Sequence, residues 1–267
     1  MRRLILSGEG VEARGETEDA VAVEEPLEIL VEGRSVAVVM RTPGHDRELA
    51  AGFLLSEGVI GSVRDVFEIS RCASASPEGE AVEALLARPE EVNLERLTRH
   101  VFTSSSCGVC GKASIEAAMK THPPLEAPQT RVVRAEVLFS LPEKQRAAQP
   151  AFGETGGIHA SALFDLEGNL IMTREDVGRH NALDKVIGAA LLEDRLPLEK
   201  CILLLSGRAS FELVQKALAA RIPIVAAVGA PSSLAVQLAK DAGITLCGFL
   251  KGERCNVYAH GERLTHR

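Results

Sequence analysis

The spacing of apolar residues divides the chain into two stretches of different rhythm. In the first, Leu27–Val31 and Ser35–Met40 flank Glu32-Gly33-Arg34 and predict a β-hairpin. Thr42-Pro43-Gly44 marks a turn. From Asp46 to Glu57 the apolar residues Leu49, Phe53 and Leu54 fall at helical spacing, and Gly58 ends the run. Val63–Ser70 and Ala81–Ala87 predict strands with a Ser/Pro/Gly turn between them. A short helix is expected from Ala113 to Lys120. His122-Pro123-Pro124 through Pro128 has the composition of a linker, and residues 1–20 read as a loose polar lead-in.

In the second stretch, strands and helices alternate. His159–Phe164 and Leu170–Thr173 surround Asp165-Leu166-Glu167-Gly168-Asn169, a second hairpin. Asn181–Leu192 is helical, Cys201–Leu205 an apolar strand, Phe211–Ala220 helical, Ile224–Val228 a strand, Leu234–Ala242 helical and Ile244–Phe249 a strand, with a short one at Cys255–Ala259. This alternation predicts βαβ units and a largely parallel sheet covered on both faces. The chain is therefore read as α/β, with a β-rich region over residues 1–125 and an α/β region over residues 126–267.

Composition narrows the classes of function. A net charge of −7 over 267 residues lacks the basic face of a general nucleic-acid binder. No apolar run approaches the roughly 18 residues of a membrane span, and the N-terminal apolar stretch is too short for a signal peptide. The expected setting is the cytoplasm, with no membrane and no nucleic-acid partner. Six cysteines in a chain of this length do not make a disulfide scaffold.

Two of them concentrate the chemistry. Ser104-Ser105-Ser106-Cys107-Gly108-Val109-Cys110-Gly111-Lys112 places Cys107 and Cys110 two residues apart among small residues, just before a helix start. The positive end of a helix dipole and the Lys112 cation both favour thiolate over thiol. A C-x-x-C serves equally as half of a zinc site. No second C-x-x-C accompanies it here, and Cys201 and Cys247 lie in apolar strands as core thiols. No metal site is predicted.

Polar clusters fall at expected strand ends, where open α/β sheets bind ligands. They are Ser206-Gly207-Arg208, Gly229–Ser233 and Gly248-Phe249-Leu250-Lys251-Gly252-Glu253-Arg254; Arg174 to Asn181 lies before a helix. Helix N-termini with nearby Arg and Lys suit a large anion such as a nucleotide phosphate. Plainer readings stand beside this one: Asp176 as a helix cap, His180 as a satisfied helix-start residue, Arg208 paired on the surface, Lys251 and Arg254 in an ordinary solvated loop.

Glu48-Leu49-Ala50-Ala51-Gly52-Phe53-Leu54-Leu55-Ser56-Glu57-Gly58, Ser105–Gly111, Arg174-Glu175-Asp176-Val177-Gly178-Arg179-His180-Asn181-Ala182-Leu183-Asp184-Lys185, Ser206–Arg208 and Gly229–Ser233 occur in this order. Together they resemble the formate dehydrogenase accessory sulfurtransferase family, from about Pro26 to about His260. The resemblance implies a cytidine-deaminase-like core with helices on both faces, an added β-rich N-terminal region and a homodimer. The H-x-E and P-C-x-x-C pattern of a zinc deaminase is not legible, so the fold does not imply deamination. The resemblance also implies sulfur transfer. Persulfide sulfur comes from a cysteine desulfurase and goes to the molybdenum or tungsten bis(pterin guanine dinucleotide) cofactor of a formate dehydrogenase catalytic subunit. The persulfide position falls on Cys107, with Cys110 as its second cysteine. The guanine-dinucleotide contacts fall on Phe249, Leu250, Lys251, Gly252, Glu253 and Arg254. Ser206, Gly207, Arg208 and Asp176 join them by position alone. The C-x-x-C loop is expected on the same side of the sheet as these turns. A zinc-stabilised nucleotide-binding regulator without catalysis and a thiol–disulfide oxidoreductase are the competing functions.

Overall fold

A computed structural model describes residues 2–7, 10–16, 18–73, 79–92, 111–126 and 133–265. The polar lead-in is instead a hairpin, in which β1 (Arg2–Ser7) and β2 (Gly10–Glu16) pair antiparallel. Its alternation of Val11 and Ala13 with Glu12 and Arg14 is short and hidden among Gly and Glu. The next hairpin is as expected. β3 (Glu25–Val31) and β4 (Arg34–Arg41) turn through Glu32 and Gly33, both at positive φ (51° and 71°), the geometry that matches strand twist in a two-residue loop. After α1 (Asp46–Ser56) come β5 (Val66–Ala73) and β6 (Glu80–Leu86), which complete a four-stranded sheet of order β4-β3-β6-β5. The β3–β6 pair alone is parallel.

α2 (Gly111–Thr121) leads towards β7 (Val133–Arg134), α3 (Ala135–Ala147) and α4 (Pro150–Thr155). The last two helices are not legible in the sequence. Pro142 interrupts α3, and only Leu138, Leu141 and Gln145 form its buried stripe. Then follow β8 (His159–Asp165), β9 (Leu170–Asp176), α5 (Arg179–Leu192), β10 (Cys201–Leu205), α6 (Phe211–Ala219), β11 (Ile224–Ala227), α7 (Ser233–Ala242), β12 (Thr245–Lys251) and β13 (Arg254–Ala259). β14 (Leu264–Thr265) pairs with β7.

The large sheet has the order β13-β12-β11-β10-β8-β9. It is mixed, which corrects the expected parallel sheet. Only β10, β11 and β12, joined by the crossovers through α6 and α7, are parallel. The tight β8–β9 and β12–β13 connections force antiparallel pairing at both margins. Helices lie on both faces, as expected. Alternate residues of β10 point to opposite cores: Leu203 and Leu205 to the side of α5 and α6, Ile202 and Leu204 to the side of α3. The first core runs without a break into the four-stranded sheet, through α1. That helix is apolar almost all round because it is covered on all sides. It crosses α5 at Gly52 and Gly188. A Cβ on Gly52 would stand 1.9 Å from the Asp184 carbonyl oxygen, and one on Gly188 1.8 Å from that of Glu48. Among the described residues, no helix is long and apolar enough to cross a membrane.

Candidate functional site at one end of the large sheet

Register places the polar clusters at one end of the sheet. Leu205 pairs with Ser161, His159 with Asp176, and Lys251 with Arg254. The C-terminal ends of β9, β10, β11 and β12 therefore share a rim with the N-terminal ends of β8 and β13. Ser206, Gly207, Arg208, Gly229–Ser233, Phe249–Arg254, Asp176 and His159 all lie along it.

The loops of this rim are tied to one another by backbone. Gly229 N donates to Gly207 O (2.9 Å), Phe249 N to Gly229 O (3.0 Å), Ala209 N to Ala230 O (3.2 Å) and Ser232 N to Ala209 O (3.0 Å). Ser206 prolongs the β8 ladder: its N donates to Ala160 O (3.0 Å), and its hydroxyl accepts from Ala160 N (2.9 Å). Arg208 projects into solvent. Phe249 holds a left-handed backbone, φ 53°, and its ring is half-exposed. A bulky residue in that conformation is uncommon and costs backbone strain. Lys251, Gly252, Glu253 and Arg254 are exposed. Leu250 is fully buried in the core beneath α3, so its side chain faces away from any ligand at the rim.

Asp176 is also fully buried. One oxygen lies 2.6 Å from Lys185 Nζ and accepts from Thr42 N (3.1 Å); the other accepts from Gly178 N (2.8 Å) and Asn181 Nδ2 (3.1 Å). Its partners are all protein groups, and they fasten the start of α5 to the β4–α1 turn. Lys185 Nζ adds a bond to Thr42 O (2.8 Å).

Two rim residues, His159 and Arg179, escaped emphasis in the sequence, and His180, read there as a satisfied helix-start residue, lies beside them. His159 lies against Gly207, where a Cβ would come within 3.3 Å of the imidazole. Burial, then the Arg179 charge, hold His159 below the usual histidine range. Burial does the same to His180, whose Nε2 sits 3.1 Å from Ser210 Oγ and 3.6 Å from Glu212 Oε2. Arg179 Nε is buried with no hydrogen-bond partner among the described residues. No side chain caps α5 or α6 at the rim, whereas Ser232 caps α7 by accepting from Ala235 N (3.2 Å). Free helix N–H groups together with Arg179, Arg208, Lys251 and Arg254 make a surface for an extended anion. Nothing in the sequence alone signals that His159, Arg179 and Gly207 meet, because their meeting depends on strand register.

Cys107 and Cys110 lie outside the described residues. The helix that follows them is anchored at its far end, where His122 Nε2 lies 3.1 Å from Ser56 O and Leu125 N donates to Ala242 O (2.9 Å). Among the described residues, no three His, Cys, Asp or Glu side chains gather as metal ligands.

The FdhD/NarQ family model matches residues 22–265. The chain belongs to the FdhD/NarQ family. It is 51% identical over 255 residues to a protein of Streptomyces coelicolor named sulfur carrier protein FdhD, covering 93% of this chain and 90% of that one. A Mycobacterium tuberculosis protein of the same name is 49% identical over 270 residues, 97% of this chain and 96% of its own. A crystal structure from Desulfotalea psychrophila, provisionally described as a formate dehydrogenase accessory protein, superposes with a TM-score of 0.75 at 26% identity. It covers 99% of this chain and 98% of that one. Among the described residues, the motifs on which the resemblance rests fall in two places: the α1–α5 crossing and the rim.

Proposed function

We propose that this chain is a sulfur carrier and sulfurtransferase. Cys107 takes the outer sulfur of a cysteine desulfurase persulfide, and the rim holds the guanine dinucleotide portion of a molybdenum or tungsten bis(pterin guanine dinucleotide) cofactor. That cofactor is cargo, bound for a formate dehydrogenase catalytic subunit. The observation that carries this reading is the gathering of four polar loops at one sheet end in a chain about half identical, over nearly its whole length, to proteins named sulfur carriers. On this reading the large sheet is a deaminase-like core used for carrying rather than deamination, and the working form is a homodimer.

The first step exchanges one S–S bond for another: the Cys107 thiolate attacks the donor's outer sulfur and the desulfurase thiolate leaves. When that sulfur departs as sulfide, two electrons must be supplied, and Cys107 with Cys110 supplies them by closing a disulfide. At the rim, Arg208, Lys251 and Arg254 meet phosphate charge, and the half-exposed Phe249 offers a face for guanine.

The test pairs chemistry with cells. Incubation with a cysteine desulfurase and cysteine should add about 32 Da to the peptide carrying Cys107. Cys107→Ala should leave the melting temperature unchanged and abolish formate dehydrogenase maturation, with a milder loss for Cys110→Ala. Full maturation by the Cys107→Ala chain would overturn the reading. Guanosine diphosphate should raise the melting temperature more than adenosine diphosphate does; equal shifts would remove the guanine assignment.

A further inference from the structure

A cavity of about 340 Å³ opens at the end of the large sheet opposite the rim. Its floor is the α5 face of three strands: Leu163 of β8, Met172 of β9 and Cys201 of β10. Strand register explains the space. Leu163 pairs with Met172 but Phe164 with Leu170, so Ile171 has no partner and forms a bulge. A bulge bends its strand and re-aims a side chain. Ile171 stands at the mouth of the cavity, 36% exposed. The facing wall is the loop from α5 to β10. Backbone bonds pin it on either side of Pro197: Arg195 N donates to Ala190 O (2.9 Å), and Leu198 N to Ala220 O (3.0 Å). Leu198 is buried and completes the wall. Walls fixed in this way make the cavity pre-formed.

The lining has an apolar body and a charged mouth. Burial pushes the Cys201 thiol up, so beside Leu163, Met172 and Leu198 it stays S–H and acts as one more apolar surface. Charge is confined to Arg195, Glu199 and Lys200, all exposed. Arg195 Nε is engaged with Glu193 (2.7 Å), and Glu199 has a partner within the chain. Asp165, opposite Cys201 in the ladder, turns to its own hairpin and accepts from Asn169 N (2.8 Å) and Glu167 N (3.0 Å). Lys200 enters no ion pair among the described residues. A smaller cavity of about 180 Å³ differs on this point: its two charged residues, Asp65 and Arg88, pair with each other (3.3 Å).

Packed interiors rarely leave spaces much larger than a water molecule, and a dry apolar cavity of about 150 Å³ already takes benzene. We propose that the cavity between the α5–β10 loop and the β8–β9 bulge binds a small apolar carboxylate. A ligand of about ten non-hydrogen atoms suits its volume. The chain of the ligand lies on Leu163, Met172 and Leu198, and its carboxylate meets Lys200. This site is separate from the rim and does not depend on the reading of the chain as a sulfur carrier.

Octanoate is the probe, titrated calorimetrically into the full chain at neutral pH, with 1-octanol as its uncharged counterpart. The expected dissociation constant is below about 1 mM, with octanol about fivefold weaker. Lys200→Glu, at an exposed position, should erase that difference. Ile171→Trp should block the mouth and weaken both ligands by about tenfold or more. Lys200→Glu carries the test alone if Ile171→Trp lowers the urea midpoint. Melting-temperature shifts from octanoate and guanosine diphosphate should add, since the two sites lie at opposite ends of the sheet. Failure of octanoate to bind, or binding untouched by both substitutions, overturns the proposal. Competition with guanosine diphosphate overturns it as well, by placing the probe at the rim. Octanol binding as tightly as octanoate removes the role of Lys200 and overturns the ligand class.

Discussion

The α1–α5 crossing and the sheet rim both carry residues on which the resemblance to the family rests, yet they use charge in opposite ways. At the crossing the buried charged groups have protein partners. Arg174 grips Glu48 through two bonds (2.6 and 2.9 Å), Lys216 sits 2.8 Å from Asp184, and Ser56 donates to Asp184 as well (3.0 Å). Close by, Arg41, fully buried, lies against Asp46, Glu25 and Glu80. At the rim, Arg208, Lys251 and Arg254 face water, and the buried Arg179 Nε has no partner among the described residues. The difference teaches that the longest family motif, Arg174–Lys185, is chiefly a packing device. A charged residue inside a recognisable motif is not thereby a ligand. Burial and partner count decide which it is.

The largest effects should come from the crossing. Gly188→Ala or Gly52→Ala drives a methyl group into the facing helix backbone, which cannot yield without separating α1 from α5. Overpacking of this kind should cost about 3 kcal/mol or more, read as a fall in denaturant midpoint. Lys216→Met should follow closely, at about 3 kcal/mol, because it strands the buried Asp184 carboxylate. Wild-type stability in either glycine variant would mean that the helices do not meet there in solution.

The sequence foretold the continuous apolar strands best. Cys201–Leu205 and Ile224–Ala227 have no polar face to confuse their period, because both their faces are covered. The rim clusters were legible for the same reason, each following a strand that was easy to see. α3 was not, since Pro142 breaks its pattern and its stripe is narrow. Nor was the crossing: Gly52 and Gly188 are plain in the sequence, but 136 positions separate them, and nothing local says that they touch. Asp176 illustrates the remaining difficulty. Its place before a helix was visible, whereas its burial against Lys185 depends on a contact made only in the folded chain.

Substitutions at the rim should reverse the pattern, with little change in stability and a loss of binding. Asn tolerates the left-handed backbone that Phe249 is held in. Phe249→Asn should therefore keep the melting temperature or raise it slightly, and should remove the shift produced by guanosine diphosphate. Arg208→Ala, at an exposed position, should alter stability by no more than about 0.5 kcal/mol and diminish the same shift. Arg195→Ala is the control, since Arg195 follows α5 at the opposite end of the sheet. If it weakens the nucleotide shift as much as Arg208→Ala does, the contrast between rim and remainder fails.

The smallest effect lies in the pH dependence, where the two regions should slope in opposite directions. Burial raises Asp184 at the crossing to about 6, above its unfolded value of 3.8. As pH falls through that window the folded chain binds the proton first, so this group adds stability towards acid. Burial lowers His180 at the rim, with Arg179 and Lys216 adding to it and Glu212 opposing. The unfolded chain then binds the proton first, below its ordinary 6.5. Stability from this group is complete above that value and declines as pH falls towards the depressed one. His180→Gln keeps a polar group facing Ser210 and removes the titration. Its stability curve should fall less steeply than the wild-type curve below about pH 6.5, and the two should run parallel above it. Guanosine diphosphate should shrink the difference, because a bound anion favours protonated His180. Urea midpoints at closely spaced pH values give both results. Curves that stay parallel below pH 6.5 would mean that His180 carries the same charge folded and unfolded, and that the rim is no more desolvated than an open surface.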